Sequence, residues 1–412
     1  MTSDVSAGAM DEAEGDAGPA NLPLAGITVV SLEQAVAAPY ATRQLADLGC
    51  RVIKIERPGT GDFARRYDES VRGMSSYFVW ANRSKESICL DVKDPDGLAV
   101  LVRLIETADV FVQNLAPKAS ARLGLDATTL RERRPELIVC DVSGYGARGP
   151  WSHRKAYDLL VQSEAGVLSL TGTADATARV GVSIADIAAG MYAFSGILAA
   201  LLRRQSTGCG SVVEVSLFDS LSEWVGQPLY YTKYAGEQPA RTGTHHPTIA
   251  PYGPFECRDG LSVLVAVQNE REWATFCTSI LGEPSLAVDE RFRGNPARVR
   301  NRDELHRIIA AAIAGFDSTE ALARLDAIGI ANARQNTVVE LLDHPALLNR
   351  DRYRHFGSPV GQLSGPISPI SLSGVTPRMD AVPDIGEHTD AILQELGYTS
   401  ADREELRQRG VI

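Results

Sequence analysis

The sequence predicts an α/β protein in which a doubly wound, Rossmann-like large domain is joined to a smaller α+β domain. Its 412 residues exceed one domain of roughly 100–200 residues, so two domains are expected. Early in the chain, β-branched apolar runs alternate with helical segments, which is typical of parallel βαβ units. After Val215 an Asp-Gly hairpin signal and amphipathic helices replace this alternation. We expect a disordered acidic tail over 1–22, the N-terminal part of the large domain over 23–225, the small domain over 226–344 and a C-terminal segment over 345–412.

Five strands and three helices are predicted in the large domain. The strands are expected at 27–32, 51–56, 87–92, 109–113 and 137–142. The helices between them are expected at 35–48, 95–108 and 116–123. Tight joints between these elements predict right-handed crossovers and parallel strands. Ligands of such sheets bind at the carboxyl ends of the strands.

The second half of the chain carries mixed signals. A helix is expected over 218–231, and strands over 255–257 and 261–267 are joined by the Asp259-Gly260 turn. Further helices are expected at 270–281, 303–314, 318–328, 391–396 and 400–409.

Composition and charge exclude several classes of function. A net charge of −11 argues against a nucleic-acid-binding protein, so an anionic ligand would need a local cluster of Arg and Lys. The six cysteines form no CxxC pair and are scattered over a long chain, which is typical of free thiols in a reducing compartment, so a cytoplasmic location is expected. The first 22 residues carry acidic side chains and no Lys or Arg, unlike a secretory signal. The longest apolar run, 187–202, is shorter than the roughly 20 residues of a membrane span and predicts a buried helix.

A glycine-rich motif follows the last predicted strand. Residues 144–149 match GxGxxG, which in dinucleotide-binding proteins opens a helix whose N-terminus meets the pyrophosphate. Here Pro150 and polar residues follow instead of a helix start, so a dinucleotide oxidoreductase is disfavoured. His245-His246 lacks a third ligand at zinc spacing, so a polar loop is favoured over a metal site, and no metal is predicted.

Asp186, just before the longest apolar run, has two interpretations. Ser183 and Asp186 fit a capping box, with Ser183 as N-cap and Asp186 three residues on. The same position favours an ionised carboxylate, which a nucleophile needs. Local chemistry alone favours the cap. Four cations near predicted strand ends could hold phosphates, although scattered surface cations are common: Arg57, Lys93, Arg122 and Lys155.

Taken together, these motifs resemble the class III CoA-transferase family, which includes formyl-CoA and carnitine CoA-transferases. The resemblance runs from about Leu24 to the C-terminus and is most specific in Gly144-Tyr145-Gly146, Ala156-Tyr157-Asp158 and the Asp186 segment. Further matching stretches are Pro23–Ile27, Val52–Gly59, Asn82–Lys85, Leu90–Lys93, Gln113-Asn114, Arg122–Gly124 and Gly386–Thr389.

The resemblance implies a function and a set of site residues. Asp186 would be the nucleophile that takes the acyl group and then CoA. The expected CoA-binding residues are Arg57, Leu90, Lys93, Asn114, Arg122, Lys155, Tyr157 and Asp158. CoA thioesters would be substrates, and no permanently bound cofactor is expected. The implied assembly is an interlocked homodimer in which the C-terminal segment returns to the large domain.

The resemblance also bears on the substrate and leaves alternatives. Small dicarboxylic acids are expected, with succinyl-CoA as donor and itaconate, mesaconate, citramalate or malate as acceptor. Arg65, Arg66, Arg72 and Arg154 are candidates to hold a free carboxylate, or are ordinary surface residues. Some members cover the site with a glycine-rich loop, but the matching 242–254 has only Gly243 before Pro251, which puts that role in doubt.

Two other functions stay open at this point. A related branch racemises 2-methylacyl-CoA with a His at the position of Tyr157, and a tyrosine is a poor base for that reaction. A CoA-binding protein without turnover, in which Asp186 only caps its helix, is the other alternative.

Overall fold

The computed structural model describes residues 21–116 and 118–412. Most of the acidic tail expected over 1–22 therefore lies outside the described residues. The chain divides into two compact units. The first comprises the described residues up to Val161, then Val182–Trp224 and Asn349–Ile412, and the second comprises Gln162–Gly181 and Val225–Leu348. The segment 162–181, which we expected in the large domain, belongs to the second unit.

The first unit contains a six-stranded parallel sheet. Its strands are β1 (Thr28–Leu32), β2 (Arg51–Glu56), β3 (Glu86–Cys89), β4 (Val110–Gln113), β5 (Ile138–Ser143) and β6 (Val212–Ser216). Their order is β3-β2-β1-β4-β5-β6, and each neighbouring pair is parallel. The five predicted strands are confirmed, although β3 ends three residues early. The order reverses between β1 and β4, which is where doubly wound sheets form a ligand crevice.

The sixth strand was not predicted. Residues of β6 are exposed or half-exposed until Ser216, because β6 lies at the edge of the sheet and pairs with β5 alone. Its short sequence therefore lacks the continuous apolar run by which the central strands are recognised.

Helices occur in both units and vary widely in length. In chain order they are α1 (Ala37–Asp47), α2 (Ser76–Asn82), α3 (Pro95–Thr107), α4 (Ala119–Arg122), α5 (Ala127–Arg133), α6 (Asp158–Glu164), α7 (Val167–Leu170), α8 (Ile184–Thr207), α9 (Leu217–Trp224), α10 (Gly226–Ala235), α11 (Glu270–Ser279), α12 (Asn295–Arg300), α13 (Arg302–Ile313), α14 (Ser318–Ala327), α15 (Val338–Leu342), α16 (Pro345–Leu348), α17 (Thr389–Glu395) and α18 (Ser400–Gln408).

Two helix predictions need correction. The helix expected at 116–123 is only the single turn α4. The helix expected at 218–231 is two helices, α9 and α10, separated at Val225. Pro228 explains the break, because it lacks an N–H and its ring would clash with the carbonyl of Trp224 in a continuous helix.

Helix α8 is the central helix of the first unit. It is rich in Ala, Leu and Ile and ends at Gly208, whose φ of 70° suits a left-handed C-terminal residue. It packs closely on α1, since a Cβ at Gly190 would lie 2.7 Å from the carbonyl oxygen of Ala37. By length and composition alone α8 could cross a membrane, and half of its most apolar window is buried inside the protein.

The second unit has a three-stranded antiparallel sheet. Strands β7 (Tyr252–Glu256), β8 (Ser262–Ala266) and β9 (Ala331–Arg334) lie in that order. The predicted Asp-Gly hairpin is confirmed, with β7 beginning three residues earlier than expected. Trp273, Phe276 and Phe292 are fully buried in the core of this unit.

The C-terminal segment packs on the edge of the parallel sheet in the first unit. It forms the hairpin of β10 (Tyr353–Phe356) and β11 (Leu363–Pro366), then α17 and α18. The His388 N–H donates to the carbonyl of Ser87 at 2.9 Å, and the Cys89 N–H donates to Thr389 Oγ1 at 3.1 Å. These bonds tie the segment 386–389 to β3.

Candidate active site

A cavity of about 670 Å³ lies at the carboxyl ends of β1, β2, β3 and β4 in the first unit. This is the edge of the sheet at which a ligand site was predicted. Its lining comes from the loops after these strands, from α4 and from the C-terminus: Leu32–Gln34, Ile55–Pro58, Thr60–Asp62, Leu90–Lys93, Leu115, Ala116, Ala119, Arg122, Leu123 and Gly410.

Four of the expected CoA-binding residues line this cavity. Leu90 is buried, whereas the side chains of Arg57, Lys93 and Arg122 are exposed to solvent. Among the described residues, none of these three cations forms an ion pair with a carboxylate. Because these side chains have no carboxylate partner, they are available to bind the phosphate groups of a ligand.

Of the four carboxylates in the lining, Glu33, Glu56 and Asp62 are paired with cations, whereas Asp91 accepts the backbone N–H of Lys93. Glu33 and Asp62 lie around Lys54, whose Nζ is 3.4 Å from Glu33 Oε1 and 2.8 Å from Asp62 Oδ2. Lys85 Nζ donates to Glu33 Oε1 at 2.7 Å. Burial alone would raise the pKa of Glu33, but Lys85 and Lys54 outweigh it and hold the pKa below its usual value.

Glu56 belongs to the same ionic cluster. Arg65 donates to both of its carboxylate oxygens, at 2.8 and 2.6 Å, and Ser87 Oγ donates at 2.7 Å. Burial would raise the pKa of Glu56, yet Arg65 and Lys54 lower it to about 2. The backbone N–H of Asp62 also donates to Glu56, at 2.8 Å. The cluster thereby fixes the loop that carries Arg57 into the cavity wall.

Asn114 holds the loop after β1 and is not part of the cavity lining. Its Oδ1 accepts from the Gln34 N–H at 2.9 Å, and its Nδ2 donates to the Gln34 carbonyl at 2.8 Å. The next residue, Ala35, has a φ of 66°, a left-handed conformation that costs energy for a residue with a side chain. The Ala35 N–H donates to Asp62 Oδ1 at 3.1 Å, so the surrounding bonds maintain this conformation.

Asp186 is the third residue of α8 and is partly buried. Ser183 occupies the N-cap position as predicted, but its side chain makes no capping hydrogen bond. The expected capping box is therefore wrong. Asp158 Oδ1 instead accepts from the backbone N–H of Ala185 at 2.8 Å. The sequence could not reveal this contact, because its partners lie 27 residues apart.

Asp186 has an unusual electrostatic environment. Burial, with a smaller contribution from the negative charge of Asp158, raises its pKa to about 7. Within 21–116 and 118–412, no Lys or Arg pairs with this carboxylate. Asp186 therefore exchanges its proton near neutral pH, and its ionised form is more basic than an ordinary aspartate.

Tyr67 interacts electrostatically with both parts of the site and was not among the predicted site residues. Burial, then the negative charges of Asp62 and Asp186, raise its pKa to about 12. Asp62 lines the cavity, so Tyr67 lies within electrostatic reach of both the cavity and Asp186. Its ring contacts that of Tyr77 edge-on at 5.4 Å. Only its place in a polar loop after β2 could have drawn attention to it.

Lys155, Tyr157 and Asp158 lie outside the cavity lining. Lys155 and Tyr157 are exposed, and Tyr157 interacts electrostatically with Tyr67. A Cβ at Gly144 would lie 2.3 Å from the Cβ of Ala156, so only glycine at 144 lets this loop pack back onto the end of β5. The helix after the glycine motif begins at Asp158 and not at the third glycine.

The four arginines considered for a free carboxylate differ in their partners. Arg65 is committed to Glu56 and stacks on Phe78, with its Cζ 3.7 Å from the ring centroid. Arg72 donates to backbone carbonyls of the C-terminal segment. Arg154 stacks on Trp151 at 3.9 Å. Arg66 is exposed.

The histidine pair lies in the second unit. The ring of His245 packs on that of His306, with centroids 4.3 Å apart, and on Gly253, where a Cβ would be 2.4 Å from the imidazole. Burial and Arg302 lower the pKa of both His245 and His246. In the part of the chain that the structure describes, no group of three metal-ligating side chains is present.

Comparison with known proteins identifies the class to which this fold and site belong. Residues 24–389 match the family described as CoA-transferase family III, and the chain belongs to that family. It is therefore an enzyme, a CoA-transferase, and the predicted resemblance is confirmed.

Curated relatives and solved structures of the family cover nearly the whole chain. Mouse succinyl-CoA:glutarate CoA-transferase is 34% identical over 399 residues, which are 95% of this chain and 90% of the relative. Succinyl-CoA:mesaconate CoA-transferase of Haloarcula hispanica is 33% identical and covers 90% of this chain and 96% of its own. A CAIB/BAIF family protein from Brucella suis has a TM-score of 0.81 at 33% identity, over 91% of this chain and all of that one. Rv3272 from Mycobacterium tuberculosis has a TM-score of 0.79 at 28% identity, over 90% of this chain and 99% of that one.

Proposed function

We propose that this enzyme transfers CoA from succinyl-CoA to a small dicarboxylic acid through a covalent intermediate on Asp186. One observation carries the proposal: Asp186 is a carboxylate without a cationic partner among the described residues, in the same unit as a cavity lined by three cations without carboxylate partners. Tyr67 interacts electrostatically both with Asp186 and with Asp62 of the cavity lining. A carboxylate of raised pKa is a stronger nucleophile, because nucleophilicity follows basicity. The cations suit the phosphates of CoA.

The proposed reaction has four covalent steps. The ionised Asp186 attacks the succinyl-CoA thioester, forming an aspartyl–succinyl anhydride and releasing CoA thiolate. The thiolate attacks the aspartyl carbonyl, which gives an aspartyl-CoA thioester and free succinate. The acceptor carboxylate then attacks this thioester and again releases the thiolate. Finally the thiolate attacks the acceptor carbonyl of the new anhydride, which yields acyl-CoA and regenerates the carboxylate.

CoA binding is proposed to use two groups of residues. Arg57, Leu90, Lys93 and Arg122 would contact it in the cavity. Asn114 would act indirectly, since both of its amide atoms are used to hold the Gln34 backbone. Lys155 and Tyr157, which are exposed outside the lining, would contact the part of CoA nearer Asp186.

The acceptor is proposed to be a five-carbon dicarboxylate. Relatives that are 30–34% identical are named for glutarate, mesaconate and D-citramalate, each with two carboxyl groups. Glutarate therefore joins itaconate, mesaconate and citramalate as a candidate, with malate as a shorter one. One carboxyl group would react at Asp186, and the other needs a cation such as Arg66, Arg72 or Arg154.

A cytoplasmic homodimer is proposed as the working form. The first unit exposes large apolar side chains that a second copy of the chain could cover, among them Tyr157, Val182 and Leu202, which are 62, 55 and 66% exposed. Val182 and Tyr157 lie close in sequence to Asp186 and Asp158, so a dimer interface there would also exclude water from the anhydride.

Covalent trapping tests the proposal. The protein is incubated with succinyl-CoA and then hydroxylamine, which converts an activated aspartyl group to a hydroxamate, and the product is located by mass spectrometry. We expect a hydroxamate at Asp186 and none in Asp186→Asn, with Asp175→Asn as an exposed control that labels normally. A panel of glutarate, itaconate, mesaconate, citramalate and malate then identifies the acceptor by the acyl-CoA formed.

Three results would contradict the proposal in different ways. Labelling at a different carboxylate would overturn the role of Asp186. Absence of an adduct, together with deuterium exchange at the α-carbon of a 2-methylacyl-CoA, would indicate a racemase. CoA binding with neither signal would indicate a protein that binds CoA without turnover.

A further inference from the structure

The N-terminus of α8 is capped by a side chain from a distant segment. The local candidate, Ser183, makes no capping bond. Asp158, the first residue of α6, accepts the Ala185 N–H at 2.8 Å and so satisfies one of the N–H groups that a helix start leaves unpaired. The cap of this helix is therefore a tertiary contact between two separate segments.

This contact acts on the backbone of Ala185, the residue before Asp186. Ala185 is fully buried, and the carboxylate that it binds belongs to the segment that includes Val161, which is also fully buried. The Ala185 end of the hydrogen bond is thus in the core, and the half-buried Asp158 lies one helical turn before the core residue Val161. A bond at Ala185 restrains the backbone from which the Asp186 side chain projects, and small displacements of a reacting group can cost large factors in rate.

We propose that Asp158 is a positioning residue that holds the first turn of α8, and hence Asp186, in place, and that it does not bind CoA. The inference rests on the proposed function, because it assigns a partner to the proposed nucleophile. It also revises the role that the family resemblance suggested for Asp158, whose Oδ1 is engaged by the protein backbone.

The charge of Asp158 adds a second effect on the same residue. Its negative charge disfavours ionisation of Asp186 and contributes to the raised pKa. Tyr67 interacts electrostatically with Asp186, and Tyr157 interacts with Tyr67, so both are further titratable groups near this site. Removal of the Asp158 charge should therefore lower the pKa of Asp186, whereas removal of its oxygen should loosen the helix start.

Two substitutions separate these effects. Asp158→Asn keeps an acceptor oxygen and removes the charge, whereas Asp158→Ala removes both. Asp126→Ala is the matched control, because Asp126 caps α5 in the same unit, with the Thr129 N–H at 3.1 Å, and does not line the cavity. Each full-length variant is assayed for thermal unfolding, CoA affinity by calorimetry, and the pH dependence of single-turnover formation of the Asp186 adduct.

We expect Asp158→Ala and Asp126→Ala to lose a similar few degrees of Tm, as for any removed cap, about 2–4 °C. Only Asp158→Ala should also slow adduct formation, by roughly 10–100-fold, with CoA affinity unchanged within about twofold. Asp158→Asn should recover most of that lost rate and move the acid limb of the pH profile to lower pH.

Other results would overturn the inference. A CoA affinity lowered tenfold or more in both Asp158 variants, with an unchanged acid limb, would make Asp158 a CoA ligand. An adduct rate equal to wild type in Asp158→Ala would exclude positioning. If wild-type protein forms no adduct, the proposed function fails separately, and comparison of unfolding and CoA affinity still shows whether Asp158 caps the helix or binds CoA.

Discussion

The carboxylates under the cavity and the carboxylate at the start of α8 have opposite surroundings. Glu33 and Glu56 are buried against Lys54, Lys85 and Arg65, and these cations lower the pKa of both carboxylates. Asp186 has no cationic partner among the described residues and faces a second carboxylate, so its pKa is raised. Burial acts in the same direction on all three, so the charged neighbours decide the difference.

The paired and the unpaired carboxylates are suited to different roles, the first structural and the second reactive. A paired and hydrogen-bonded carboxylate is a weak nucleophile but holds loops in place, as the ionic cluster holds those that line the cavity. An unpaired carboxylate in a partly buried position costs stability but is available to react. Active sites of enzymes commonly contain groups that reduce the stability of the protein in this way.

The largest expected effect comes from removing one carboxylate of the buried ionic cluster. Glu33→Gln removes the anion that Lys54 and Lys85 share. Loss of one partner from a buried ion pair costs about 3–5 kcal/mol of unfolding free energy, which chemical denaturation measures. Glu404→Gln is the control, since its pair with Arg407 is exposed and should contribute less than about 1 kcal/mol. A Glu33→Gln protein as stable as the control would show that the cluster is not a set of buried charges.

Removal of the unpaired carboxylate of Asp186 should change the stability in the opposite direction. Asp186→Asn should increase stability at pH 8 by about 1–3 kcal/mol, because each unit of pKa shift corresponds to about 1.4 kcal/mol and partial exposure reduces the total. The ordinary pKa of 3.8 is raised to about 7 on folding, so the wild type loses stability as the pH rises through this interval. The advantage of the variant should thus grow between about pH 4 and pH 7 and then level off. An advantage that is constant with pH would show that the pKa of Asp186 is ordinary.

Much of this comparison was not visible in the sequence. Alternation of apolar runs and helices located five strands of the parallel sheet, because buried parallel strands leave continuous β-branched runs. Within β2, the residue pattern is misleading at Lys54 and Glu56. These charged residues would face solvent in a half-exposed strand, but both are buried in β2. Charge pairing between distant segments leaves no local pattern, and neither does the Asp158 contact with α8. Arg57, Leu90, Lys93 and Arg122 were placed at strand ends by the topology or by family resemblance, and the structure gathers these four around one cavity.

The pH profile of adduct formation gives a third, smaller effect. Asp186 attacks only when ionised, and its pKa is raised to about 7. The single-turnover rate should therefore be nearly constant above pH 8 and fall about tenfold per pH unit below 7, which a rapid-quench series from pH 5 to 9 would measure. An acid limb near pH 4 would mean that Asp186 acquires a positively charged neighbour in the working enzyme, for instance from bound substrate or a second copy of the chain.

The smallest effect is expected from single cations of the cavity wall. Lys93→Met removes one of the three unneutralised charges, and because an exposed charge interacts weakly, we expect CoA to bind roughly 3–10-fold less tightly. The variant should also show a weaker dependence of CoA affinity on salt, since one fewer charge attracts the phosphates. Lys118→Met is the matched control, because Lys118 is an exposed lysine on the loop after β4 that does not line the cavity. Equal losses of CoA affinity in the two variants would indicate a general effect of net charge. The contrast between the cations of the cavity and the unpaired Asp186 would then not explain CoA binding.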